Sequence, residues 1–533
     1  MPLEPNAVPE SRRAPAAETL CLAAILLLAA GLRFYRIDAQ SLWYDEGNSA
    51  RIAERSIQLI LEGAAGDIHP PLYYLALSLW RGLFGASETA LRSLSAACGI
   101  GIVGLAWLLG RRLFSRRIGL AAAALVAISP FAIYYSQEAR MYAMLALWAA
   151  LSSVWIATLA TRGSAGAPTR ARRLAGPVVY ALATAAGLYT HYAYPFVMIA
   201  QAVALGLAGL TDREAQIRQP RALLAWALAN LAAITLFGPW LPIALRQIQG
   251  WTVAPQAYAL GPAILDALRW VAAGRTLPTA DAALPLVALG ALSALGLAAA
   301  PAEARRRALL PLALALVPFA LLFVFKLYRE SYLKFLLVCV LPLALLAARG
   351  LPTLAARIGI RSDVLRWTRP AALAGAVILA SATLAGSLNN LYNNPAYARD
   401  DYRGIARRVL ADVRPGDRVW FSGPNQWEVY TYYDPEPARS FPVPYLAADD
   451  TVADTALSRA SAGADRIYVL YYGEREADPE SRYERWLAGH AHKAGEEWIG
   501  NIRFAEYRIN PPLAPVSATG VWAGAIALSG ARA

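Results

Sequence analysis

Residues 17–56 read AETLCLAAILLLAAGLRFYRIDAQSLWYDEGNSARIAERS. Residues 17–34 are apolar almost throughout, about the length a helix needs to cross a hydrocarbon core of roughly 30 Å. Trp43 and Tyr44 follow, and then two adjacent carboxylates, Asp45 and Glu46. Trp and Tyr gather at membrane interfaces, so this stretch reads as a span ending at a polar face.

The rest of the chain repeats the pattern. Of 533 residues, 57% are hydrophobic and 16% charged, which points to a polytopic α-helical membrane protein. Apolar blocks lie near 17–34, 89–110, 118–134, 141–160, 175–190, 194–210, 222–238, 283–300, 308–326, 333–349 and 371–388, about eleven spans. The net charge of +13 is no sign of nucleic acid, because the cations fall in short loops between spans. Arg111, Arg112, Arg116 and Arg117 share one loop, and Arg162, Arg170, Arg172 and Arg173 another. Arg305 to Arg307 form a third cluster, and Arg349, Arg357, Arg361, Arg366 and Arg369 a fourth. All fall on the side of Arg12 and Arg13 if the N-terminus is cytoplasmic. The first span reads as a retained anchor, with residues 1–18 as a cytoplasmic N-terminus. Cys21, Cys98 and Cys339 sit in apolar segments and imply neither disulfide nor metal motif.

The opposite, extracytoplasmic face then receives 35–88, 134–142, 190–196, 239–282, 326–335 and everything after about 389. Long connections in compact folds carry function more often than not. From 391 to 510 the composition becomes that of a small soluble α/β domain. Helices fit DYRGIARRVLADV and PESRYERWLAGHAHKAG; strands fit DRVWFSG, DRIYVLYYG and WIGNIRFAEYRI. The tail at 511–533 gives no firm reading, though its last residues could begin a further β unit.

The chemistry-bearing residues cluster on the extracytoplasmic connections. Ala53, Ile57, Ile60 and Leu61 share one face of an amphipathic helix, with Arg51, Glu54, Arg55 and Gln58 opposite. Asn48 or Ser49 would cap it. Asp45 and Glu46 then precede a helix N-terminus, which favours their ionised form. They read either as a general base with a partner or as a capping and interface-anchoring pair. DIHPPLYY (67–74) holds His69, one of four histidines, before two prolines that either serve a site or simply start a helix. YYSQEARMYAM (134–144) places Gln137, Glu138, Arg140 and Tyr142 between two spans. Charges there need a partner or a wet cavity, so Glu138 and Arg140 either neutralise each other or Arg140 holds a phosphate. His191 and Tyr192, and Arg329, Tyr332 and Lys334, complete the candidates. Asp45, Glu46, His69, Glu138 and His191 are the residue types for a divalent metal, without a short-spacing ligand motif. No P-loop or dinucleotide fingerprint is present. An enzyme, a lipid or solute transporter or flippase, and a membrane scaffold all remain open on these residues.

The combination W-Y-D-E, H-P-P-L-Y-Y and Y-S-Q-E-A-R-M-Y, with YLKFLLVCVLPLALLAARGL at 332–351, resembles the GT-C membrane glycosyltransferases. Within them it is similar to the bacterial branch of protein O-mannosyltransferases, lipid A aminoarabinose transferases and rhizobial galacturonosyltransferases. The resemblance covers roughly 20–350 and implies a transmembrane catalytic domain at 19–390 followed by an extracytoplasmic domain. It implies inverting transfer of a sugar from a polyprenyl phosphate to a protein, lipid or glycan acceptor at the outer face of the cytoplasmic membrane. Asp45 matches the catalytic carboxylate, with Glu46 supporting it. His69, Gln137, Glu138, Arg140, Tyr142, His191 and Lys334 fall to substrate and phosphate. Lys334 departs from the arginine common in relatives.

Overall fold

The computed structural model describes every residue except 1–12, 162–169, 251–257, 300–301, 358–384, 424–425, 443–448, 474–477, 479, 510–518, 523–525 and 530–533. The chain forms two units. One comprises Met1–Asp38 and Ile52–Tyr397, the other Ala39–Arg51 and Ala398–Ala533. The loop 35–88 is therefore divided, and the W-Y-D-E turn packs with the C-terminal residues.

In chain order the helices are α1 (Arg13–Phe34), α2 (Tyr44–Ala53, as far as Arg51 in the second unit), α3 (Ile57–Gly66), α4 (Leu72–Phe84), α5 (Glu88–Leu113) and α6 (Arg116–Ile128). Next come α7 (Pro130–Ser136), α8 (Tyr142–Ala160), α9 (Arg170–Thr190), α10 (Tyr194–Thr211), α11 (Pro220–Phe237) and α12 (Leu241–Gly250). The first unit ends with α13 (Leu260–Ala273), α14 (Ala283–Ala298), α15 (Ala302–Arg307), α16 (Leu309–Val324), α17 (Glu330–Leu333) and α18 (Val340–Arg357).

Among the described residues seven helices are long and apolar enough to cross a membrane, or eight counting the bent pair α6–α7. Ten of the eleven expected spans fall on helices, those at 175–190 and 283–300 being shorter. The eleventh, 371–388, lies largely outside the described residues, as do Arg361, Arg366 and Arg369 of the fourth arginine cluster and most of the tail. Large apolar side chains such as Leu27, Leu79, Leu210 and Leu231 are exposed, as lipid-facing residues must be. Where helices meet closely, small residues permit it. Gly296 of α14 lies against the Leu346 carbonyl of α18, and Gly350 of α18 against that of Leu292.

The expected span 118–134 is two helices meeting at 60°. Pro130 has no N–H, so the Val126 carbonyl loses its helical donor. The Ser129 N–H reaches that carbonyl at 3.4 Å, and a second donor comes from Arg33, fully buried in the last turn of α1. Its Nη2 donates to Val126 O at 3.3 Å and its Nη1 to Ala127 O at 3.1 Å. Its Nε donates to Ser136 Oγ at 3.2 Å, and Ser129 caps α7 by accepting from Ala132 N. The break delivers the 137–141 turn to the start of α8.

The amphipathic helix expected at 48–61 is also two pieces. α2 ends at Ala53, and Ser56 caps α3 by accepting from Leu59 N at 3.4 Å. Asp45 and Glu46 lie inside the first turn of α2 rather than ahead of it. Trp43 is the residue at the cap, because Glu46 Oε2 reaches back to accept its N–H at 3.4 Å. Ser49 instead donates its hydroxyl to Asp45 O at 3.1 Å.

The second unit is an α/β layer. β1 (Arg418–Phe421), β2 (Ser440–Pro442), β3 (Arg466–Tyr471), β4 (Ala491–Ile499) and β5 (Ile502–Ile509) form one sheet in the order β2-β1-β3-β5-β4. β1 runs parallel to β2 and β3, whereas β5 runs antiparallel to β3 and β4. Helices α19 (Tyr402–Asp412), α20 (Gln426–Tyr433), α21 (Asp450–Ser461) and α22 (Arg482–His490) accompany it. Trp420, Leu457, Ile467, Val469 and Leu487 lie in its core. The strand expected over WIGNIRFAEYRI is a hairpin, which turns at Gly500 with φ +62°. The helix expected to reach 495 stops at His490, where β4 begins. In the tail, β6 (Thr519–Trp522) and β7 (Ile526–Ser529) pair antiparallel.

Candidate active site

In the membrane unit, four loops and helix ends converge on one polar cluster. Asp67 and His69 come from the α3–α4 connection, Arg140 from the turn before α8, Tyr142 from its first residue, His191 from the end of α9, and Lys334 from the residue after α17. His69 Nδ1 lies 3.4 Å from Asp67 Oδ2, and the Tyr74 hydroxyl donates to the same oxygen at 3.2 Å. Arg140 Nη2 stands 3.5 Å from His69 Nε2. The His191 ring packs 5.8 Å from His69, 6.0 Å from Tyr142 and 4.4 Å from Phe335, centre to centre. Lys334 Nζ lies 4.6 Å from the centre of the Tyr142 ring. Tyr332 stacks on Phe335 at 5.4 Å.

The electrostatics follow from that packing. Burial acts against ionisation of Asp67, but the hydrogen bond and charge of His69, the Ile68 N–H and the charge of Arg140 outweigh it and hold its carboxyl down to about 2. The anionic Asp67 orients His69. Burial drives His191 well below the usual histidine range, and the nearby charges of His69, Lys334 and Arg140 push the same way. Its Nδ1 accepts from Ala193 N–H at 2.9 Å, which leaves Nε2 as the protonated nitrogen of the neutral ring. The result is a pocket with permanent cations at Arg140 and Lys334, an orientable imidazole at His69, and aromatic walls.

Other sequence candidates do different work. Gln137 donates its side-chain amide to the carbonyls of Arg33 at 3.1 Å and Tyr35 at 2.8 Å, which ties the end of α1 to the turn. Glu138 is buried in that turn. Tyr192 accepts from Trp240 Nε1 at 3.0 Å and bonds Gln247. The Gln247 amide donates to Ala64 O at 2.7 Å and to the Asp67 carbonyl, strapping the Asp67 loop. Among the described residues no group of three or more His, Cys, Asp or Glu is placed to hold a metal. Asp67, Tyr74, Phe335 and Gln247 join the cluster without a place among the sequence candidates. Asp67 had a visible signal, a carboxylate two residues before a histidine held by prolines.

The same unit holds a cavity of about 510 Å³ lined by Asp266, Arg269, Trp270, Arg275, Tyr328 and Arg329, among others. Arg269 Nη2 pairs with Asp266 at 2.6 Å, and Arg275 with Glu330 at 3.2 Å. Arg275 also donates to the Tyr134 hydroxyl at 3.2 Å.

In the second unit, Asp45 and Glu46 differ. Glu46 is fully buried and pairs with Arg399 Nη1 at 3.2 Å. Asp45, one residue earlier, stays partly exposed.

Residues 68–242 match the family described as dolichyl-phosphate-mannose-protein mannosyltransferase. No curated protein matches the chain by sequence. Among solved structures, apo ArnT from Cupriavidus metallidurans is similar with a TM-score of 0.61 at 15% identity, covering 92% of this chain and 98% of that one. ArnT bound to undecaprenyl phosphate gives 0.59 at 14% identity, with the same coverage of 92% and 98%. The Archaeoglobus fulgidus oligosaccharyltransferase AglB, in complex with an inhibitory peptide and a dolichol-phosphate, gives 0.53 at 14% identity, covering 93% of this chain and 74% of that one. At these identities the structural likeness is one of fold. The family match thus lies within the membrane unit, and over 92% of its length the chain shares the fold of ArnT.

Proposed function

We propose that this enzyme moves a sugar from a polyprenyl-phosphate donor to an acceptor hydroxyl, with inversion, at the outer face of the cytoplasmic membrane. The observation that carries the reading is the cationic pocket of Arg140, Lys334 and His69 in a chain without a nucleotide-binding motif. A lipid-phosphate donor needs an anion site and an apolar phase, and no nucleotide fold. The undecaprenyl phosphate in ArnT and the dolichol-phosphate in AglB support the same donor class.

The chemistry then follows. The acceptor oxygen attacks the anomeric carbon as the bond from that carbon to the phosphate oxygen breaks. Charge gathers on the departing phosphate, where Arg140 and Lys334 stabilise it; each such group is worth about 3 kcal/mol in the transition state. Phosphate leaves as a stable anion, so no strong general acid is required. Asp45 takes the proton from the acceptor hydroxyl. Asp67 keeps His69 turned toward the phosphate. Residues 391–510 serve as an extracytoplasmic domain. The conduit reading has no comparable observation behind it.

The test incubates purified protein in nanodiscs with a panel of polyprenyl-phosphate sugars and candidate protein, lipid and glycan acceptors. Consumption of one donor, release of polyprenyl phosphate and a product of inverted anomeric configuration are expected. Retained configuration would reject the single-displacement mechanism, and consumption of nucleotide sugars alone would reject the donor class.

A further inference from the structure

Two adjacent acids at one turn invite a shared role, yet their surroundings separate them. α2 has ten residues, too few to hold its shape alone in water. Its place is set by residues some 350 to 390 positions later. Arg399 N donates to Gln40 Oε1 at 3.0 Å, Ser41 Oγ to Asp400 O at 2.7 Å, and Leu42 N to the Tyr433 hydroxyl at 2.7 Å. At the other end of α2, Arg51 Nη2 donates to Thr431 O at 2.6 Å and Nε to Thr431 Oγ1 at 3.2 Å. Gly47 lies directly against Val429 with no room for a Cβ. In the middle, buried Glu46 holds both Arg399 and the Trp43 N–H that opens the helix.

Successive helical residues point about 100° apart. With Glu46 anchored among the C-terminal residues, Asp45 is turned aside and remains partly exposed. We propose that Arg399 is a positioning residue for sugar transfer. Through Glu46 it fixes the first turn of α2 and hence the direction of the Asp45 carboxylate. One acid is the anchor and its neighbour the base, and the C-terminal unit serves catalysis by holding that turn. The proposal rests on the reading of Asp45 as base.

The test compares full-length wild type, Arg399→Gln, Arg399→Lys and Asp45→Asn in nanodiscs. It reads kcat and donor KM for the consumed donor, together with hydrogen exchange over 43–53. Arg399→Gln should lower kcat on the order of 10²-fold, the loss a misplacement of about 1 Å brings, with donor KM within about twofold. Exchange in 43–53 should quicken while the membrane helices keep theirs, and Arg399→Lys should recover most of both. Normal kcat in Arg399→Gln with Asp45→Asn inactive would overturn the proposal alone. Lost kcat with unchanged exchange in 43–53, or exchange raised throughout the chain, would also overturn it. Normal turnover in Asp45→Asn would remove the base and the positioning role together.

Discussion

Replacing Arg140 by Gln removes a cation from the proposed phosphate pocket while leaving the surrounding framework in place. Arg140 is the weakest of the four influences that hold Asp67 ionised; the hydrogen bond and charge of His69 come first. The Asp67–His69–Tyr74 arrangement therefore survives the change. What is lost is stabilisation of the charge that develops on the leaving phosphate, about 3 kcal/mol for a well-placed donor. That predicts a fall on the order of 10²-fold in kcat/KM for the donor. Arg140→Lys should recover part of it, because the charge returns without the forked geometry. The assay is single-turnover transfer at varied donor, paired with binding of polyprenyl phosphate alone. A kcat/KM within about twofold of wild type, or a loss confined to acceptor KM, would refute the assignment of Arg140 to the phosphate.

Two further outcomes follow from buried polar groups. His191 is held neutral by burial, well below its usual 6.5. The folded state binds that proton less readily than the unfolded one, so His191's contribution is intact above about pH 6.5 and is lost as pH falls below it. Thermal melts of wild type and His191→Asn from pH 7 to 5 should show the shallower slope in the variant; equal slopes would count against it. Arg33→Leu removes the side-chain donor from the Ala127 carbonyl and leaves the Val126 carbonyl only the Ser129 N–H at the α6–α7 break. With about 1–3 kcal/mol for the unsatisfied Ala127 carbonyl and about 1 kcal/mol for the lost bond to Val126, it should destabilise the protein by about 2–4 kcal/mol in melts in nanodiscs, whereas Ser136→Ala should cost about 1 kcal/mol. Equal effects of the two would contradict the clamp.

The spans were legible because lipid imposes long apolar runs with few charges, and ten of the eleven blocks are helical. The 60° break was present in the sequence as Pro130, but the arginine that makes it tolerable sits 97 positions earlier, beyond the reach of local pattern. His69, Arg140, Tyr142, His191 and Lys334 could be named from charge among apolar neighbours. That they meet, and that Asp67 orients one of them, depends on four loops converging. Gln137 looked equally polar, yet its amide is spent on carbonyls at the end of α1. The allegiance of 39–51 was the least legible feature. Its partners lie about 350 residues away, and nothing within the stretch names them. In the C-terminal unit, single-strand alternation over 498–509 concealed a hairpin, because Gly500 and Asn501 make a turn short enough to preserve the apparent period.

The central claim is that Asp45 is the base for transfer from a polyprenyl-phosphate sugar. The most direct measurement is turnover of the consumed donor by Asp45→Asn beside wild type, with donor binding measured on the same preparations. The account predicts that the variant inserts into the membrane, binds donor with unchanged affinity and transfers no sugar. Near-normal turnover by Asp45→Asn would contradict it.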